Sequence, residues 1–223
     1  MNARARFNSP TSIIFLTLCL IFLTWIQFFP SLENPDILRS TLSGASFATI
    51  KVFIFLLIMP LCIVRFVFGR QWNEFGWQLP ENKLFAVRGT VLVILALMPA
   101  IFLFSKDAAF QAYYGASQLP FFEFLLGSVV LSAFYYVAEE FLFRGFLLFG
   151  LVGKIGYHGV WVSNVLFALA HFSKPLPEIA FSFSAGILFS YLALKTKSFV
   201  PAAIAHFAVA LVANTLITFA WSV

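Results

Sequence analysis

Charge is what this chain has least of. Its 223 residues include only 9 acidic and 14 basic side chains, 10% of the total, where soluble domains carry about 25%. So few charges cannot build a water-facing shell. Disorder, which needs low hydrophobicity, is excluded with it. The basic residues outnumber the acidic ones, for a net charge of +5, but they are scattered singly. No stripe of Lys and Arg tracks a phosphate backbone, so nucleic acid is not expected as a partner. Cysteine is nearly absent, and Cys19 and Cys62 both lie in apolar stretches, so no disulfide framework is expected. Three catalytic signatures are also missing. There is no His-Glu-x-x-His zinc helix, no Gly-x-Ser-x-Gly elbow and no Ser-x-x-x-Lys pair, which leaves little support for a nucleophilic serine.

What is present is apolar: 61% of residues, 31 of them Phe, with a mean hydropathy of +0.95. A bilayer core takes about 20 apolar residues per helix. Stretches of that kind fall at about 12–29, 46–64, 89–105, 121–149, 158–172, 178–194 and 198–221. The first follows Arg4 and Arg6 but runs into Phe28-Phe29-Pro30 without a small-x-small cleavage site, so it reads as a retained span. The pattern predicts an all-α, polytopic transmembrane helical bundle of about seven spans, six to eight being compatible with it. With the N-terminus inside, the inner side receives Arg4, Arg6, Arg65, Arg70, Lys83, Arg88, Lys154, Lys195 and Lys197. The outer side receives only Arg39, Lys51, Lys106 and Lys174. Lys and Arg collect on the cytoplasmic side, so the expectation is a cytoplasmic N-terminus and an outer C-terminus in a plasma (inner) membrane.

Ionisable groups inside a span are functional suspects, because hydrocarbon penalises them by several kcal/mol. Glu123 and His158 fall at span ends, where they can reach water, and Lys51 and Arg88 can snorkel. The remaining ones are Glu139, Glu140, Arg144, His171 and His206, with Asn164 and Asn214 as neutral company. Glu140 and Arg144 are four apart and share a helix face, so they can pair. Glu139 is rotated by about 100° and lacks that partner, which suits it to general-base work. Counted from the inner surface, Glu139, His171 and His206 sit roughly 16, 18 and 12 Å deep at 1.5 Å per residue. One acid and two imidazoles from three helices thus converge. They suit a water activated by Glu139 and oriented by His171, with His206 stabilising the oxyanion. The same side chains are an allowed zinc set, but metal-free water activation is preferred and no cofactor is expected. The alternatives are a Glu–Arg clamp in a non-catalytic membrane scaffold and a proton-coupled transporter, the latter lacking the broken repeats such proteins show.

At these residues the chain resembles a known family. Glu139-Glu140-Phe-Leu-Phe-Arg144 is similar to a Glu-Glu-x-x-x-Arg motif, Phe167-Ala-Leu-Ala-His171 to a Phe-x-x-x-His motif, and His206 to a third motif on a late helix. The family is the CPBP group, comprising Rce1-type CAAX prenyl proteases and abortive-infection relatives, and the resemblance covers about residues 120–215. It implies a glutamate-dependent intramembrane endopeptidase in which Glu139 and His171 activate water, Glu140 and Arg144 shape the site, and His206 belongs to the oxyanion hole. It also implies a membrane-tethered protein or peptide substrate, cut in its C-terminal region: a CAAX protein, a bacteriocin precursor or a sorting-signal protein. A bacteriocin-immunity protein is the non-catalytic counterpart. The Rce1-type third motif continues His-x-x-x-Asn, whereas Ala210 stands here. Asn214 and Asn164 are the amides available to replace it. The chain divides accordingly into N-terminal transmembrane helices at 1–119 and CPBP-like catalytic helices at 120–223, within one membrane domain.

Overall fold

The computed structural model describes residues 8–26, 42–114, 121–172 and 174–220. It is 86% helical, with no strand among the described residues. The helices are α1 (Pro10–Ile26), α2 (Ser46–Val67), α3 (Lys83–Phe104), α4 (Ala108–Tyr114), α5 (Phe121–Ile155), α6 (His158–Leu169), α7 (Leu176–Thr196) and α8 (Val200–Ala220). Five of them, α2, α3, α5, α7 and α8, are long and apolar enough to cross a membrane, and α1 and α6 are shorter apolar helices. These seven coincide with the seven expected spans. Residues 27–29, 173 and 221, the expected boundary at 119–120, and Arg4, Arg6 and Arg39 lie outside the described residues.

Local chemistry sets the ends. The Asn82 side chain accepts a hydrogen bond from the Phe85 backbone N–H at 2.9 Å, capping a helix that otherwise starts with unsatisfied donors. Pro177 and Pro201 sit in the first turns of α7 and α8, where a missing N–H costs nothing. At 35 residues, α5 runs well beyond the expected 121–149 and stops at Gly156, whose φ is 58°.

α5 is the central helix. It packs against α1, α2, α6 and α8, while α7 lies against α3, α6 and α8. From Ala138 to Leu148 every residue of α5 is buried, so this stretch is enclosed by protein and does not face lipid.

One end of the bundle carries Arg65, Arg70, Lys83, Arg88, Lys154, Lys195 and Lys197 and is closed by aromatic rings. Phe146 stacks on Phe68 and Phe75 with centroids at 5.8 and 6.2 Å. Trp77 packs on Phe141 and Phe199 at 5.3 and 5.4 Å. The connection from α2 to α3 is pinned beneath these rings. Gln78 Nε2 donates to the Lys197 carbonyl at 2.9 Å, and the Ser198 hydroxyl donates to the Gln78 carbonyl. The turn depends on Gly76, whose φ is 74° and whose missing Cβ leaves room for the Phe149 ring. A side chain there adopts a strained backbone at about 1–3 kcal/mol. Gly76→Ala is therefore expected to lower thermal stability in detergent, and an unchanged melting temperature would show that the turn does not need its glycine.

Candidate active site

Glu139, Glu140 and Arg144 come from the enclosed stretch of α5, at 6%, 0% and 0% exposure. Wide π-helical turns begin immediately after the two glutamates, at Phe141–Leu147, and include Arg144. Such turns recur at functional sites because they re-aim side chains. The expected pair forms: Arg144 Nη1 donates to Glu140 Oε1 at 3.1 Å. The guanidinium lies over the Phe167 ring at 3.9 Å from its centroid, and its Nη2 donates to Asn164 Oδ1 at 3.4 Å. Asn164 in turn donates from Nδ2 to the Val160 carbonyl at 2.8 Å and to Ser190 Oγ at 3.2 Å. Thus α5, α6 and α7 are tied together through one buried cation. Gly186 of α7 makes the approach possible, since a Cβ there would collide with Asn164 Oδ1 and stand 2.7 Å from Arg144 Nη2.

His206 of α8 completes the cluster. Its Nδ1 is 2.8 Å from Glu140 Oε1 and 3.7 Å from Glu139 Oε2. Glu139 itself has no hydrogen-bond partner among the described residues, whereas Glu140 is held by both Arg144 and His206.

His171 arrives by a different route. The periodicity placed it on a helix over 158–172, but α6 ends at Leu169 and His171 lies in the following turn. It is 4% exposed, with Nδ1 at 2.8 Å from the Phe167 carbonyl. A carbonyl only accepts, so Nδ1 carries the proton and Nε2 keeps its lone pair. The Phe167 ring joins the two imidazoles, at 4.7 Å from His171 and 5.7 Å from His206.

Both histidines line a cavity of about 80 Å³, together with Tyr136, Ala210, Asn214, Tyr114, Lys174 and Glu178. Asn214 stands two turns beyond His206 on α8, roughly 12 Å along the axis, with Ala210 between them. Asn164 belongs to the arginine clamp, not to this cavity. Among the described residues, no three His, Cys, Asp or Glu side chains converge as a metal cage.

Four lining residues were not among the expected site residues. The Tyr114 hydroxyl bridges both Glu178 oxygens at 2.7 and 2.8 Å, and Lys174 Nζ donates to Glu178 Oε1 at 2.8 Å. Tyr136 packs its ring 4.3 Å from that of His206. The i,i+4 spacing of Lys174 and Glu178, and the position of Tyr136 one turn before the glutamates, were signals available in the sequence. The arrival of Tyr114 from α4 had none.

The site is a polar cluster enclosed within apolar helices, with one carboxylate free of hydrogen bonds among the described residues and within 3.7 Å of the His206 imidazole. Residues 120–212 match the family model described as type II CAAX prenyl endopeptidase Rce1-like, in line with the resemblance of the three motifs. At family level the match supports a CAAX-type membrane protease, a peptide hydrolase. Comparison with curated proteins and with solved structures finds no match.

Removing the cation should collapse the clamp. Arg144→Ala leaves Glu140 buried with His206 as its remaining partner, at up to about 3–5 kcal/mol, and Gly186→Ala should destabilise the same network by displacing Asn164. Thermal unfolding of detergent-solubilised variants tests both. A wild-type melting curve for Arg144→Ala would mean that the clamp does not hold the bundle.

Proposed function

We propose that the chain is an intramembrane endopeptidase that cleaves the C-terminal region of a membrane-tethered protein or peptide. The observation that carries this is the split between two adjacent carboxylates. Glu140 is consumed by Arg144 and His206, while Glu139 stays unbonded and within 3.7 Å of an imidazole. A structural clamp needs only the first.

In the proposed reaction, Glu139 takes a proton from a water whose orientation is fixed by the free Nε2 of His171. The hydroxide adds to the scissile carbonyl, forming a C–O bond. The developing oxyanion is met by the His206 imidazole, whose Nδ1 is committed to Glu140. The C–N bond then breaks, and Glu139 returns its proton to the leaving amine. Arg144, Glu140 and Asn164 touch no reacting atom and act by positioning His206 and the turn before His171. No step calls on a metal or other cofactor. We further propose that residues 120–223 form the catalytic half and 1–119 its supporting helices, in a plasma membrane with the N-terminus cytoplasmic and the C-terminus outside.

The test compares peptide termini in host membranes carrying wild-type protein or Glu139→Gln at matched abundance. Glu139→Gln should accumulate and melt like wild type, and one or more membrane proteins should retain their C-terminal segment only in the mutant. Identical termini in both, under conditions where the gene matters, would favour the non-catalytic scaffold or immunity protein.

A further inference from the structure

We infer that the cavity lined by His171 and His206 opens on the extracytoplasmic face of the membrane, so that the substrate is a polypeptide segment presented from outside the cell. The inference takes the nature of the cargo from the protease reading above. The direction of the mouth stands on separate observations.

The cavity is bounded at its deep end by Phe189 and His206 and at its other end by Tyr114, Lys174, Glu178 and Ile217. Those last residues belong to α4, the turn before α7, the first turn of α7 and the final turns of α8, which share one end of the bundle. Phe104 on Phe181 at 5.3 Å and Phe124 on Phe219 at 4.8 Å mark the same end. In the opposite direction the path is blocked. Phe141 and Phe146, both 0% exposed, and the Trp77–Phe199 stack fill the space between the glutamates and the loops. The larger groove at that end, about 480 Å³, is lined by Trp77, Val137, Phe199 and Ala203 among others and by no ionisable side chain. Along the bundle axis, the cavity that both histidines line leads toward the Lys174 end.

That end is poor in positive charge. Among the described residues it holds Lys51, Lys106 and Lys174, and Lys174 is paired with Glu178. The sealed end holds Arg65, Arg70, Lys83, Arg88, Lys154, Lys195 and Lys197. Short basic loops stay in the cytoplasm, which puts the aromatic seal inside and the mouth outside. A cavity of about 80 Å³ is also far below the roughly 300 Å³ of a small ligand pocket. A peptide must part the Tyr114–Glu178–Lys174 bonds to reach the histidines, and those bonds lie on the outer face.

Single cysteines in a Cys19→Ser, Cys62→Ser background test this with a membrane-impermeant maleimide on intact cells. Leu176→Cys at the mouth (77% exposed) should label as fully as after permeabilisation, and Tyr157→Cys at the sealed end (84% exposed) only after it. Phe122→Cys and Leu79→Cys form a second pair should either of the first fail to accumulate. The reverse pattern overturns the inference. In the Glu139→Gln comparison, products cut on the cytoplasmic side of their anchor would also overturn it while leaving the protease reading intact. Labelling as expected with no Glu139-dependent product would uphold the orientation and sink the protease reading.

Discussion

The charge pair between Glu140 and Arg144 is the constraint from which the rest follows. Neither group is exposed, and an ion enclosed among Phe rings cannot find water, so every neighbour is arranged around the guanidinium. Asn164 turns its carbonyl toward it, Phe167 offers a ring face, and Gly186 withholds a side chain. These contacts draw three helices into register. His206 joins from a fourth because Glu140 still has room on the same oxygen. Glu140 Oε2 and Arg144 Nε are buried with no partner among the described residues, so the network is costly to disturb and tolerates few alternatives.

The abundance of Phe has a structural use in this setting. Small residues usually mediate close packing between membrane helices, yet here rings fill the bundle end that must not leak. Phe68, Phe75 and Phe146 stack in one layer, and Trp77, Phe141 and Phe199 in another. Close backbone approaches occur where the clamp and the Gly76 turn require them, and where Gly159 of α6 meets Leu151 and Val152 of α5.

Much of this was legible beforehand. Long apolar runs located the helices because a bilayer demands them, and the four-residue spacing located the Glu140–Arg144 pair because a helix face demands it. Depth counting placed Glu139, His171 and His206 at comparable levels, although it assumed a helix through residue 172 where the chain turns after Leu169. Asn164 was counted among the amides available to replace the motif Asn, and the structure ties it to Arg144 instead. Such competition between acceptors is decided by which helix approaches, and spacing along one helix does not encode it. Tyr114 is the extreme case: its partner Glu178 is 64 residues away, and no periodicity links them.

The brevity of α6 has a consequence for the membrane itself. Its 12 residues span roughly 18 Å, against about 30 Å of hydrocarbon. Lipid beside it must thin or dip to meet the turn that carries His171, at fractions of a kcal/mol per Å of mismatch. The dimple brings the aqueous phase down toward a site that consumes water. Acyl-chain length thereby becomes a physical variable of the reaction, and the bilayer acts as part of the active-site wall.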